Sequence, residues 1–417
     1  MTETLEAGTV IVGAGPAGIA AACGLGEAGE DVLIVDEGPR SGGQIWRHRP
    51  ASGPPKAAQA WLARLSATQV RVRHNLTVVD ARPDGTLLGE SEAGPVEIRG
   101  SRVILATGAR ELFLPFPGWT LPGVIGVGAA QALVKSGAEL RNLEVVLAGS
   151  GPLLLPVASL LASQGARVGL IGEQAPLGEV LGFGAGLWRA PGKILEAMRY
   201  RSRSLGARYQ TGVWAVAAHG DDRVREVVLT DGRRTWTRRC DLLCCSYGLV
   251  PNVELARWLG CEIDNGRVVT DEVQQTNQAG FFCVGETTGI GGAELSLVEG
   301  EIAAAHISGL AEALPPLEKR RALWRRFSKS LEKAFRPRRE LAERVQPETT
   351  ICRCEDVTCE NLDPEWCIRQ AKLYTRLGMG PCQGRVCGPA VHYLYGWASD
   401  SVRPPLKPCR LATLSER

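Results

Sequence analysis

A chain of 417 residues exceeds what one small core can organise, and typical domain sizes divide it into roughly two to four domains. Its 48 basic and 45 acidic side chains leave a formal charge of only +3, which gives no global attraction for nucleic acid or anionic membrane and favours small-molecule chemistry. Fifty glycines in a chain that is 44% hydrophobic argue against low-complexity disorder and for repeated tight turns between buried strands and helices.

The first residues carry Glu3 and Glu6 and no basic side chain, unlike a secretion signal, so a cytoplasmic, reducing compartment is expected. In such a compartment the thirteen cysteines read as metal ligands or redox groups rather than disulfides.

Residues 9–36 read as strand, glycine turn, helix and strand, the context that gives a G-x-G-x-x-G pattern meaning. Gly13 permits the turn, Gly15 lets backbone approach a pyrophosphate, and Gly18 lets helix and strand pack closely, with Pro16 and Ala17 opening the helix. Asp36, followed by Glu37, closes the second strand where an acid can accept a ribose hydroxyl. These features define a dinucleotide without saying which.

Residues 145–173 repeat the pattern. The uncharged run from Val145 to Ala162 is long enough for a membrane span, but Gly149, Gly151, Pro152 and Pro156 fit a glycine-rich turn better, and no transmembrane segment is expected. Leu154 stands where a third glycine would allow close packing. Glu173 would favour NAD over NADP if a nicotinamide cofactor binds, and a vestigial or structurally filled pocket fits equally well, so NAD is left open. Cys244 and Cys245 read as buried small hydrophobes.

From Pro315 to Gln346 glycine disappears. Trp324, Phe327, Leu331 and Phe335 mark one apolar face of a connecting helix, opposite Arg320, Arg321, Arg325, Arg326, Lys329 and Lys333. That basic face either packs on its own protein or meets an acidic partner or, peripherally, a membrane surface.

Six cysteines then fall between Cys352 and Cys387, marking a separate module. Cys352 and Cys354 point to one face of an extended backbone, and Cys382 and Cys387 supply a second pair among Gly378, Gly380, Gly384 and Gly388. Four thiolates suit a [2Fe-2S] cluster or zinc, and the C-x-C and C-x4-C spacing favours iron over the short knuckles of structural zinc. Cys359 and Cys367 are left over. His48, His74, His219, His306 and His392 form no acid–base or nucleophile motif, so no residue is assigned a catalytic role.

Together with the glycine motif, Ser41-Gly42-Gly43-Gln44, Leu105-Ala-Thr107-Gly108, Tyr247 to Asn252 and Phe281-Phe-Cys-Val-Gly285-Glu286 resemble segments of the two-dinucleotide-binding flavoproteins of the thioredoxin-reductase kind. The last motif ends Gly-Asp in that family, the aspartate contacting the ribityl chain of FAD; Glu286 departs by one methylene, which leaves a different adenine nucleotide open. No C-x-x-C pair occurs, so disulfide reduction is not expected. The segment from Gly378 through Cys382 and Cys387 to Gly388 resembles the domain of bacterioferritin-associated ferredoxin. More narrowly it resembles the α subunits of multisubunit amine and imino-acid dehydrogenases, the group of hydrogen cyanide synthase, opine oxidase, D-hydroxyproline dehydrogenase and heterotetrameric sarcosine oxidase.

The resemblance implies an α/β two-dinucleotide-domain flavoprotein: an FAD domain over 1–118 and 245–312, an inserted NAD(P)-like Rossmann domain over 119–244, a connecting helix over 313–346 and a [2Fe-2S] domain over 347–417. It implies FAD near Gly13, Gly15, Gly18, Asp36, Glu37, Gly43, Gln44, Thr107, Gly108, Gly285 and Glu286, and a [2Fe-2S] cluster on Cys352, Cys354, Cys382 and Cys387. It further implies a flavin-bearing β subunit holding the substrate site, a small ferredoxin-like γ subunit, and FMN at an interface between subunits. The chain would relay electrons taken from a C–N bond of an amino, imino or opine-type acid. The alternatives are a stand-alone NADH-dependent reductase and a non-catalytic nucleotide-binding scaffold.

Overall fold

The computed structural model describes residues 2–48, 53–82, 84–204, 206–399 and 401–415. The chain forms two compact units, one of Met1–Arg110, Val250–Ser328 and Asp400–Arg417, the other of Glu111–Leu249 and Lys329–Ser399.

In the first unit the strand Glu3–Val12 lies between Val32–Val35 and Gly94–Leu105, parallel to both. Val10 to Val12 and Val32 to Val35 are buried throughout, which explains why they read as unbroken apolar runs rather than alternating ones. Phe281–Cys283 joins the far side of Gly94–Leu105, also in parallel. The register aligns Val12 with Val35 and Leu105, and Leu105 with Cys283. Gly13, Asp36, Thr107 and Gly285 therefore all emerge at the carboxyl edge of one sheet, where open α/β folds bind ligands. The helix Pro16–Glu27 packs on Ala293–Ile307 so closely that a Cβ on Gly300 would stand 2.3 Å from the carbonyl oxygen of Ala17.

The second unit holds a parallel sheet ordered Arg208–Thr211, Arg167–Glu173, Glu144–Gly149, Leu242–Ser246 and Val124–Gly126. An antiparallel ribbon, Trp214–His219, Glu226–Thr230 and Thr235–Arg239, completes it. Cys244 and Cys245 are buried in the sheet, and burial raises both thiols.

The partition cuts the chain elsewhere than the sequence expectation: residues 245–249 and 347–399 fall in the second unit, the connecting helix is divided at Ser328, and both ends of the expected first domain shift. Residues 111–118 group with the second unit because Leu114 and Phe116 are buried with Trp119 and Val146. The last residues group with the first: Leu406 enters its core, Arg410 bonds Glu90 at 2.9 Å and Lys407 pairs with Glu37.

The connecting helix runs Leu314–Ala334 and stops before Pro337, which cannot continue it; a short helix Glu340–Glu343 follows. Half of its basic face is paired within the chain: Arg320 pairs with Glu301 at 2.8 Å, Arg321 is buried against Glu272, and Arg325 lies 3.8 Å from Glu299, while Arg326, Lys329 and Lys333 are exposed. Among the described residues no helix is long and apolar enough to cross a membrane. The cysteine segment carries its own hydrophobic cluster of Ile351, Val357, Leu362, Ala371, Leu377, Val391 and Trp397.

Candidate functional site

At the first glycine turn Gly13 adopts φ +110°, and a Cβ there would strike the Ala106 carbonyl oxygen at 2.4 Å; a Cβ on Gly18 would come within 2.0 Å of the Gly13 oxygen. Both positions exclude any side chain. Gly15, by contrast, faces open space, and the helix starts immediately after it at Pro16, whose missing N–H costs nothing at a helix start. Half-buried Asp36 accepts the N–H groups of Ala14 at 2.6 Å and Gly38 at 2.7 Å, which fixes the turn while leaving its edge accessible. Glu37 is exposed and ion-paired with Lys407. The 41–44 loop closes over the turn: Gly42 donates to the Ala14 oxygen at 2.7 Å, and Gly43, at φ +56°, lies against Gly15 with Gln44 exposed.

The other expected residues join the same edge. The Thr107 hydroxyl donates to the Asn252 carbonyl at 2.7 Å and Asn252 Nδ2 returns a bond to the Thr107 carbonyl at 2.8 Å, while the Asn252 N–H reaches Gly108 at 2.9 Å. Gly285, at φ +76°, sits so near Ala17 that an added Cβ would be 2.7 Å from the Ala17 Cβ. Glu286 Oε1 accepts the Gly292 N–H at 2.7 Å, and its Oε2 is buried with no hydrogen-bond partner among the described residues. Burial pushes this carboxyl up, opposed by the N–H groups of Gly292 and Gly291. A buried acceptor left open beside a glycine cradle fits the hydroxyl-rich chain of a flavin dinucleotide, so the extra methylene is accommodated by bracing one oxygen on a helix start.

Glu299, which sequence reading passed over, lies beneath this motif. Its Oε2 accepts the Gly285 N–H at 2.9 Å and the Thr288 hydroxyl at 3.0 Å, and burial raises it to about 7. Its one sequence signal is a charge in the mostly apolar, mostly buried stretch from Leu295 to Ala305, which it shares with the half-buried Glu301.

The second glycine turn is built otherwise. With Leu154 in the third position the helix begins only at Leu154, leaving Gly151 to Leu153 outside it. Glu173 is fully buried, and its oxygens accept the N–H groups of Gly151 at 2.7 Å and Ala175 at 2.8 Å; burial raises it to about 7. The amide expected to meet a pyrophosphate is thus already bound to a carboxylate. The chain itself fills the remaining space. Ser150 Oγ donates to the Phe335 carbonyl at 2.8 Å, Gln174 Nε2 donates to the Arg336 carbonyl at 3.1 Å, and the Phe335 side chain stands 3.9 Å from where a Gly151 Cβ would be. Arg338 stacks on Trp214 with its guanidinium 4.0 Å from the ring. Arg344, itself buried, donates to the carbonyls of Leu114 and Ala215 at 2.8 and 2.6 Å and to the Tyr247 hydroxyl at 2.6 Å.

The four expected ligand cysteines meet in a chain of thiol contacts, Cys352 with Cys387, Cys387 with Cys382 and Cys382 with Cys354. Backbone N–H groups of Gly378, Glu355 and Cys354 reach the Cys352 sulfur, and those of Val386 and Gly384 reach Cys382. These contacts pull Cys352 and Cys382 below the usual thiol range and push Cys387 above it. A side chain on Gly380 would collide with the Cys354 Cβ at 2.4 Å. The two leftover thiols are engaged elsewhere: Cys359 lies 3.2 Å from the Tyr395 hydroxyl and Cys367 caps the helix Ile368–Thr375. Among the described residues no group of three or more His, Cys, Asp or Glu side chains has the arrangement of a metal-ion site.

An open dinucleotide cradle at the edge of the parallel strands of a mixed sheet, followed in the chain by a second dinucleotide-type fold, defines a two-dinucleotide-fold flavoprotein. The profile of the pyridine nucleotide-disulphide oxidoreductases matches residues 8–309, and the chain belongs to that family, which implies FAD. It is 30% identical to an opine oxidase subunit of Rhizobium meliloti over 98% of this chain and 87% of that protein. It is 32% identical to hydrogen cyanide synthase subunit HcnB of Pseudomonas aeruginosa over 94% of this chain and 92% of that one. Among solved structures, L-proline dehydrogenase of P. horikoshii superposes with a TM-score of 0.69 over 99% of this chain and 80% of that chain; at 18% identity this likeness shows the fold. The chain is thus a flavoprotein oxidoreductase subunit related to those of opine oxidase and hydrogen cyanide synthase.

Proposed function

We propose that this chain is the electron-relay subunit of a heteromeric dehydrogenase or oxidase acting on the C–N bond of an amino, imino or opine-type acid. FAD would be held by Gly13, Gly15, Pro16, Ala17, Gly18, Asp36, Glu37, Gly43, Gln44, Thr107, Gly108, Gly285 and Glu286, and a [2Fe-2S] cluster by Cys352, Cys354, Cys382 and Cys387. When bound, the flavin exchanges electrons in ones or twos and the cluster in ones.

The observation that carries this reading is the kinship, over nearly the whole chain, with proteins named as subunits of opine oxidase and hydrogen cyanide synthase. The contact chain of four thiols with backbone N–H groups aimed at sulfur supports a cluster there, although the thiols do not stand in the arrangement of a metal-ion site. The residues act by binding and tuning. Glu286 braces the start of the helix Ala293–Ile307 and offers its second oxygen to a hydroxyl; Glu299 fixes Gly285 and Thr288 from below. N–H groups directed at thiolate sulfur stabilise added negative charge and so raise a reduction potential.

Partners are then a β subunit carrying the substrate site and its flavin, a small ferredoxin-like γ subunit, and FMN where subunits meet. The filled second turn weighs against the NADH-dependent reductase, because Gly151 and Ser150 are already committed to Glu173 and Phe335.

Anaerobic purification, absorbance and reduced-state EPR spectra, and chromatography of released nucleotides test the reading together. FAD with a rhombic [2Fe-2S] signal that disappears in Cys382→Ser is the expected result. Bound zinc, or adenine nucleotide without flavin, would overturn it.

A further inference from the structure

In the second unit, the crossover between the strands Arg167–Glu173 and Arg208–Thr211 consists of the helix Leu177–Gly186, the turn Leu187–Arg189 and the helix Pro191–Arg203. Neither helix buries a single residue, whereas the first unit's counterpart, Lys56–Ser66, buries Ala58 and Leu65. The exposed side chains are nonetheless apolar and large: Leu177 at 56%, Leu181 at 62%, Trp188 at 67%, Leu195 at 69% and Met198 at 59%. Leu177 and Leu181 lie one turn apart, as do Leu195 and Met198, and the short turn bearing Trp188 touches both helices.

Five such side chains expose on the order of 500 Å² of apolar surface, a large part of the ~800 Å² that each partner contributes to a standard interface. Leu, Met and Trp at the centre with Arg at the rim is the composition of a protein interface core and border. The rim is basic: Arg199 and Arg203 are exposed and make no ion pair with another described residue, while Glu196 is taken by Lys193 at 3.2 Å. A second copy of this chain meeting the face two-fold would set Arg199 and Arg203 near their own equivalents, which costs energy. The exposed Glu179 among the leucines disfavours insertion into lipid.

We propose that Leu177, Leu181, Trp188, Leu195 and Met198 form the docking face for a non-identical subunit that offers an apolar hollow bordered by Asp or Glu. This rests on the heteromeric reading above and names the partner's chemistry and the place where it binds.

The test is hydrogen–deuterium exchange on this chain alone and in the complex that co-purifies with it under native conditions. Native mass spectrometry first establishes whether another subunit is present, which judges the heteromeric reading by itself. Given a complex, exchange across 177–203 slows tenfold or more on assembly, and Arg199→Glu with Arg203→Glu weakens association at least tenfold at low salt. Flavin content and melting temperature of the variant stay at wild-type values. Unchanged exchange at 177–203 in a demonstrated complex overturns the docking face and leaves the relay reading intact. Self-association through this face, or binding of the chain alone to anionic vesicles that protects 177–203, also overturns it.

Discussion

The two glycine turns of this protein begin from nearly the same residues, Gly13-Ala-Gly15 and Gly149-Ser-Gly151, and end in opposite states. In the first, the carboxylate at the strand end takes the amide of the middle residue, Ala14, leaving Gly15 facing open space. In the second, the carboxylate takes the amide of Gly151 itself, and residues 335–338 fill what remains. One position accounts for much of the difference. Gly18 lets the helix begin at Pro16, while Leu154 delays the second helix and withdraws its amides from the turn. A glycine-rich pattern therefore reports a backbone shape, and occupancy depends on which N–H groups are still free.

The sharpest way to break this contrast is Gly18→Ala. Its Cβ would meet the Gly13 oxygen at 2.0 Å, a backbone collision costing about 3 kcal/mol or more. Flavin per chain, read by absorbance after gel filtration, should fall to near zero; wild-type flavin content would refute the cradle assignment.

The buried carboxylates give the next largest effect. Glu173 and Glu299 are each raised from 4.5 to about 7, so between these values the folded state keeps protons that the unfolded chain releases. Stability from each is full below about pH 4.5 and is lost as pH rises to about 7, on the order of 3 kcal/mol per group. The urea midpoint should decline from pH 5 to pH 7.5, and Glu173→Gln should flatten that decline. An identical slope in the variant would show that Glu173 does not titrate there.

Arg344→Met removes a buried cation that donates to Leu114, Ala215 and Tyr247, at an expected cost of about 2–3 kcal/mol. Thermal melts should shift downward with flavin content unchanged. Parallel loss of flavin would mean that the two folds are coupled through this residue.

The smallest effect is expected from Phe335→Ala, about 1–2 kcal/mol, because the side chain is half-buried. NADH should still fail to bleach the flavin, since Glu173 continues to hold Gly151. Bleaching in the variant alone would identify residues 335–338 as a removable block on a working nicotinamide site.

The sequence alone determined the features that arise within a few residues of one another. The glycines of 13–18, the acid at Asp36, the leucine at 154 and the cysteine pairs at 352–354 and 382–387 impose local backbone shapes and chemistry that any reader of the chain can see. Tertiary structure decided what those local shapes face. Phe335 lies 185 residues from Ser150, and the polar bond between them leaves no periodicity or motif in either segment. Likewise the helical pattern of the connecting segment shows a basic face, and only the fold brings Glu272, Glu299 and Glu301 to it. Local sequence sets which groups a turn can present. Long-range packing sets which of them are already satisfied, because a buried donor or acceptor takes whatever partner the fold brings within reach.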